Sequence, residues 1–421
     1  MKKILHLFIL LSFHSTYAQF QGPVNEILSG YGANGTFPVS HIDIPNDHNT
    51  FLKPISIFYP QGTTSPVPTI FYSHGYASSD TTFHLETLHH IASKGYAVVF
   101  VPYKTLGVTI SERYLTLIDG FTKAARTNTS IIDTTNVGFY GQSFGGGATP
   151  RIAYRALTEN NWGANGKFIF CSAPWYSFEL STTNLPNFPN DCNMLTVLYD
   201  DDLTNDHRLG MDIFNNIAIP DSIKDCLIVY SDTIGGYIYE ADHTLPPQYT
   251  NSGEFDALDF YVTFRLLDAL ADYSFNDNQT AKNVALGNGS LAQLNMGGQL
   301  KNLTHSNNPA PIYPESIYTN PCSDIQNERS AFCGTVTNTQ KLINKTNQLN
   351  IFPNPSQGII NFIPNHNNKN INVSIYSSQG LKIMEVENQT NIDLTNLNNG
   401  IYFTIVVLDD STFNSTIIIS K

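Results

Sequence analysis

The sequence predicts an α/β domain with a mostly parallel sheet covered by helices on both faces, followed by a small all-β sandwich. Three observations carry this. Between residues 20 and 275, short apolar or β-branched runs alternate with helical patterns, which is how strands joined by crossover helices read. The runs are apolar throughout rather than alternating, as strands buried on both faces are. From residue 349 onward, strands follow one another with only Asn and Gly turns between them.

The strand candidates are Pro54–Tyr59, Thr69–Ser73, Ala97–Val101, Val137–Tyr140, Lys167–Cys171, Met194–Tyr199 and Cys226–Ser231. Thr82–Ser93 is helical and stops at Lys94-Gly95, where glycine accepts the left-handed turn that ends a helix. Ile110–Ala125 repeats its apolar residues at helical spacing, and Asp206 is placed to cap Arg208–Asn216. Phe255–Tyr273 reads as one long amphipathic helix. Beyond residue 275 the signal weakens, leaving a short helix near Ser290–Asn295 and an Asn/Thr/Lys-rich linker over Thr335–Gln348. The final strands are Ile359–Ile363, Asn372–Tyr376, Ile401–Val407 and Ser415–Ile419.

A hydrophobic content of 41% with 12% aromatics supports a sizeable core, and 421 residues leave room for a large domain plus an appendage. A net charge of −13 without any basic cluster argues against nucleic acid and anionic membranes as partners. Lys2 and Lys3, the apolar run Ile4 to Phe13, and Ser15-Thr16-Tyr17-Ala18 form a secretory signal over residues 1–18. The run is too short to be a transmembrane anchor. Five cysteines then allow two disulfides. Cys322 and Cys333 suit a local staple. Cys192 and Cys226 could bridge if their strands are parallel neighbours, leaving Cys171 free. No Cys/His spacing suggests zinc.

In the C-terminal module, Phe352-Pro353-Asn354-Pro355-Ser356-Gln357-Gly358 is followed by Val373-Ser374-Ile375-Tyr376 with Gln379-Gly380. Then come Ile392-Asp393-Leu394, Leu397 and Gly400-Ile401-Tyr402. This pattern resembles the type IX secretion sorting domain. The resemblance implies the type IX machinery as a partner, export through the periplasm, and a secreted or cell-surface destination. The bland alternative is an adhesive or sugar-binding sandwich, but the module has no aromatic row.

Gly141-Gln142-Ser143-Phe144-Gly145 follows a strand and precedes a helix. A nucleophile on such a sharp turn needs small residues two before and two after it, which Gly141 and Gly145 supply. Ser143 is the candidate nucleophile, and the expected architecture is an α/β-hydrolase fold. Pro150 should kink the following helix or mark a late start. Oxyanion donors are expected from the backbone N–H groups of Phe144 and Tyr76, the latter in the loop His74-Gly75-Tyr76. His74 is expected to hold that loop. The acid should follow the strand ending at Tyr199, in Asp200-Asp201-Asp202. It is Asp202 if the turn is short, or Asp201 if Asn205 directly precedes the cap. A calcium-binding turn is the alternative use of these carboxylates. His243, after the last strand, is the candidate base. His84, His89 and His90 are expected to be solvated on their helix, His207 to lie in the first turn of a helix, and His305 and His366 to lie in polar loops.

Gly75-Tyr76, the elbow Gly141 to Gly147, and Cys171-Ser172-Ala173-Pro174-Trp175 resemble the cutinase-like polyester hydrolases and bacterial lipases. The resemblance implies that Tyr76 and Trp175 line the substrate cleft. Phe144 and Gln142 depart from the family pattern, as does the longer stretch between Trp175 and the acid. The expected function is hydrolysis of small or polymeric carboxylic esters by a secreted monomer with no cofactor. A serine peptidase or other acyl hydrolase is the alternative on the same fold. A non-catalytic surface-binding protein is the alternative of another class.

Overall fold

The computed structural model describes residues 19–48, 53–180, 182, 184–247, 253–322, 327–333, 350–363, 371–377, 382–408 and 411–421. The leader, the Thr335–Gln348 linker, Gln379-Gly380 and His366 lie outside these residues. The chain divides into two units, Met1–Thr335 and Val336–Lys421.

In the first unit, eleven strands occur among the described residues, and nine of them form one mixed, mostly parallel sheet. They are β1 (Val39–Ile44), β2 (Ile55–Pro60), β3 (Val67–Ser73), β4 (Ala97–Phe100), β5 (Ile132–Gln142), β6 (Gly166–Ser172), β7 (Asn193–Tyr199), β8 (Lys224–Val229), the hairpin β9 (Asp232–Ile234) and β10 (Tyr237–Tyr239), and β11 (Thr304–Ser306). The order across the sheet is β1-β2-β4-β3-β5-β6-β7-β8-β11. From β4 to β8 neighbouring strands run parallel, while β1, β2 and β11 pair antiparallel at the edges.

The seven expected strands are present, and β5 is longer than expected. β1, β11 and the β9–β10 hairpin were not expected. They are edge strands or three-residue segments, and β1 alternates half-buried and exposed residues. Such strands lack the continuous apolar run that marks a strand covered on both faces.

Helices cover both faces: α1 (Leu85–Ser93), α2 (Ile110–Thr127), α3 (Phe144–Glu159), α4 (His207–Asn216), α5 (Arg265–Asn276), α6 (Gln279–Ala285) and α7 (Leu291–Leu294). Thr109 and Glu112 form a reciprocal capping box at the start of α2. Asp206 caps α4 as expected, accepting from Arg208 N. Pro150 lies inside α3, and the helix starts directly after Ser143, so there is no late start. The long helix expected from Phe255 begins as a π-helical turn over Asp259–Phe264 and becomes α-helical at Arg265. The sheet separates two large apolar clusters, one including Tyr72, Val98, Leu266 and Leu270, the other Phe71, Val99, Leu117 and Ile152.

Residues 275–333 are built into this unit. α6 packs on α5, β11 adds the ninth strand, and Cys322 is bonded to Cys333 as expected. The conditional Cys192–Cys226 bridge does not form, and both thiols are buried and free. β7 and β8 are parallel neighbours, but their register sets Cys226 beside Thr196, four residues beyond Cys192. Among the described residues, no helix is long and apolar enough to cross a membrane.

The second unit contains two antiparallel sheets. One holds β12 (Asn350–Phe352), β13 (Ile359–Ile363) and β16 (Asn391–Asp393). The other holds β14 (Ile371–Tyr376), β15 (Lys382–Glu387), β17 (Gly400–Leu408) and β18 (Ser411–Ile419). Ile360, Val373, Ile375, Ile392, Val406 and Ile417 form its core.

Candidate active site

β5 delivers Ser143 onto a corner that only small neighbours permit. Ser143 has φ +58° and ψ −125°, a region that L-residues occupy rarely and usually at functional turns. A Cβ on Gly141 would lie 2.4 Å from the Gly145 carbonyl oxygen, and one on Gly145 would lie 1.9 Å from that of Ser73. The two glycines are therefore steric requirements of the corner. α3 starts at Phe144, so its first N–H groups have no acceptor within the helix and give this end positive potential.

Three predicted residues meet here. Ser143 Oγ and His243 Nε2 are 2.8 Å apart, and His243 Nδ1 is 2.8 Å from Asp202 Oδ2. The carboxylate of Asp202 is almost fully buried. Its Oδ1 accepts from Thr204 N and Asn205 N, each at 2.8 Å. That leaves Oδ2 for the imidazole.

Asp201 is not part of this hydrogen-bonded series. Its side chain is exposed and its backbone N–H donates to Ala241 O. The turn after Tyr199 is short, with Asp202 N returning to Tyr199 O, and that register turns Asp202 inward. Among the described residues, no group of three or more His, Cys, Asp or Glu side chains is placed to hold a metal ion.

The His74-Gly75-Tyr76 loop passes beside Ser143, so that a Cβ on Gly75 would lie 3.3 Å from Ser143 Cβ. His74 holds this loop, as expected. One ring nitrogen contacts Gly75 O at 2.7 Å, the other accepts from Tyr103 N, and the ring stacks on Tyr103 with centroids 4.0 Å apart. Burial pushes the His74 imidazole down to about 3, so it stays neutral.

Tyr76 is half-exposed, and its hydroxyl donates to Thr105 O. Arg113 approaches both the Tyr76 ring, at 5.1 Å, and the Phe144 ring, at 5.5 Å. The Phe144 side chain is buried with Tyr103, Tyr114 and Phe178. Trp175 is half-buried, and its backbone N–H donates to Ser143 O at 2.8 Å.

His84, His89, His90 and His305 make structural contacts. His84 and His90 are buried rather than solvated. His84 bridges Tyr72 Oη and Ser78 Oγ, and burial lowers its imidazole to about 4. His90 joins Asp268 to Asn34, and His89 is half-buried against Phe58. The spacing of this helix does not reveal that its histidine face is covered by the N-terminal segment and α5. His305 sits on β11 and pairs with buried Asp225 at 2.8 Å.

Two further sets of contacts support the site. Gln142 Nε2 donates to the His243 carbonyl at 2.7 Å. The strap after β11 grips the acid turn and α4. Tyr313 Oη donates to Asp200, Asn320 N donates to Asp206, and Arg208 bridges Asp206 and Glu315. Nothing in a polar, Pro-rich tail signals those partners more than a hundred residues away.

Residues 350–420 match the family described as the secretion system C-terminal sorting domain. The module is a type IX sorting signal. The chain accordingly engages the type IX secretion machinery, crosses the periplasm, and is secreted or attached at the cell surface. No curated protein matches the chain.

Proposed function

We propose that the first unit is an α/β-hydrolase that cleaves carboxylic esters through an acyl-enzyme. The observation that carries this reading is the hydrogen-bonded series Ser143–His243–Asp202, with both contacts at 2.8 Å, on a corner with positive φ. A proton-accepting imidazole beside a hydroxyl, oriented by a buried carboxylate, is the arrangement that activates a serine. The parallel run β4-β3-β5-β6-β7-β8, with antiparallel β2 beyond β4, agrees with the fold, as does the order Ser, Asp, His along the chain.

Ser143 Oγ attacks the ester carbonyl as His243 Nε2 takes its proton. The N–H groups of Phe144 and Tyr76 receive the developing oxyanion. His243 returns the proton to the departing alcohol, and water then attacks the acyl-enzyme by the same route. Asp202 stabilises the imidazolium in both steps. This chemistry requires no metal or cofactor. By the resemblance to cutinase-like hydrolases, Tyr76 and Trp175 would form the walls against which an acyl group rests.

The test is hydrolysis of short- and long-chain p-nitrophenyl esters and of peptide anilides by the mature protein and by Ser143→Ala. Ester turnover should fall to background in the variant. Undiminished turnover would remove Ser143 from the reaction. Anilide turnover exceeding ester turnover would assign the site to peptides.

A further inference from the structure

Gln142 takes no part in the steps above, yet its side chain lies among the groups that perform them. It ends β5 one residue before the nucleophile and is 1% exposed. Its Nε2 donates to the His243 carbonyl at 2.7 Å, while its buried Oε1 has no hydrogen-bond partner. A Cβ on Gly75 would lie 2.6 Å from that oxygen. The amide therefore fills the space between the oxyanion loop and the base loop, next to Ser143.

A buried acceptor without a partner is unfavourable, and its presence in a well-packed site calls for a cause. The cause is the His243 carbonyl. Turning the amide over would set two acceptor oxygens against each other, so Nε2 must face His243 and Oε1 is left against Gly75. Flanking residues of the base loop have their own ties: Ala241 N donates to Ser231 Oγ, Asp201 N donates to Ala241 O, and Thr244 N donates to Asp242 Oδ1. At the carbonyl of His243 the tie is Gln142.

We propose that Gln142 is a positioning residue for the base, fixing the His243 backbone so that Nε2 reaches Ser143 while Nδ1 remains on Asp202. This rests on the serine-hydrolase reading of the site. A base displaced by a fraction of an ångström loses alignment in the chemical step, and the loss falls on kcat rather than on substrate binding.

The experiment uses the full mature chain and p-nitrophenyl butyrate. Gln142→Met removes the donor at similar volume, and Gln142→Asn keeps an amide but shortens its reach. Both should lower kcat about tenfold or more with KM within about twofold. The low-field proton resonance of the His243–Asp202 hydrogen bond should shift or broaden. Gln142→Glu removes the donor and sets negative charge beside His243, so the acid limb of the kcat/KM profile should move to higher pH.

Wild-type kcat in Gln142→Met and Gln142→Asn with an unmoved acid limb in Gln142→Glu would overturn the proposal. So would a lowered Tm with unaltered kcat per folded enzyme. Ser143→Ala separates the two readings. If it is inactive while the Gln142 variants are undiminished, only the positioning role fails. If it hydrolyses the ester like the parent, the serine-hydrolase reading fails and this one with it.

Discussion

Asp201 and Asp202 are the same residue type one position apart, and only Asp202 reaches His243. The acid-rich turn was legible in the sequence because the acid must follow a strand that ends at Tyr199. Which carboxylate turns inward was not, because that depends on whether the turn closes tightly, here through Asp202 N on Tyr199 O. Ser143 and His243 were legible for a different reason: glycines at fixed offsets and position after the last parallel strand constrain them locally. Asp202→Asn should lower kcat about a thousandfold or more, since the amide cannot stabilise the imidazolium. Asp201→Asn should leave kcat within about twofold, because an exposed side chain contributes little field at the base. Equal losses in the two variants would show that the turn rearranges and that Oδ2 of Asp202 is not the partner of the imidazole.

At the scale of elements, the strap and the buried His84 show what sequence reasoning does not reach. Repeating apolar spacing announced α2 and the capping Asp206 announced α4, but the Arg208–Glu315 and Asn320–Asp206 contacts join segments more than a hundred residues apart with no periodic signal. The two ion pairs of Arg208 differ in weight. Asp206 is fully buried beside Arg208, whereas Glu315 is 62% exposed. Arg208→Ala leaves a buried carboxylate without its guanidinium and should cost about 3 kcal/mol in urea unfolding. Glu315→Gln breaks a screened pair and should cost less than about 1 kcal/mol. The reverse ranking would mean that the strap is held from its exposed side. The segment from His74 to His84 carries a pH dependence of definite sign. Burial lowers His84 to about 4 and His74 to about 3. Below pH 6.5 the unfolded chain therefore binds protons that the folded chain refuses, and stability is lost as pH falls toward those values. Each histidine contributes up to about 1.4 kcal/mol per pH unit in that window. Asp256, raised to about 6 by burial, acts oppositely as it protonates in the folded state. The effect is thus best read as a difference: His84→Gln should flatten the loss of unfolding free energy between pH 7 and pH 5. A slope as steep as the parent's would mean that His84 is charged or solvated in the folded protein.

At the scale of the whole chain, the change of pattern near residue 349 separates two tasks. Among the described residues, the apolar clusters of the first unit draw on residues up to Phe332, and that of the second begins at Ile351. Two sequences that each bury their own core can be parted without exposing an apolar face. The division was legible because a β-only pattern with Asn and Gly turns contrasts with βα alternation. The membership of residues 275–333 in the first unit was not, since a three-residue edge strand and a strap leave almost no periodic trace. It follows that a chain ending at Thr335 should fold, keep its Cys322–Cys333 bond, and hydrolyse p-nitrophenyl esters with the parent's kcat/KM per active serine. It should also remain in the periplasm, because the sorting module spans residues 350–420. Fractionation of cells expressing the full and shortened chains, with esterase assays on each fraction, measures both expectations together. Activity that disappears on shortening while the protein is soluble would make the second unit part of the catalytic machinery. Activity appearing in the medium from the shortened chain would mean that export is addressed by the first unit instead.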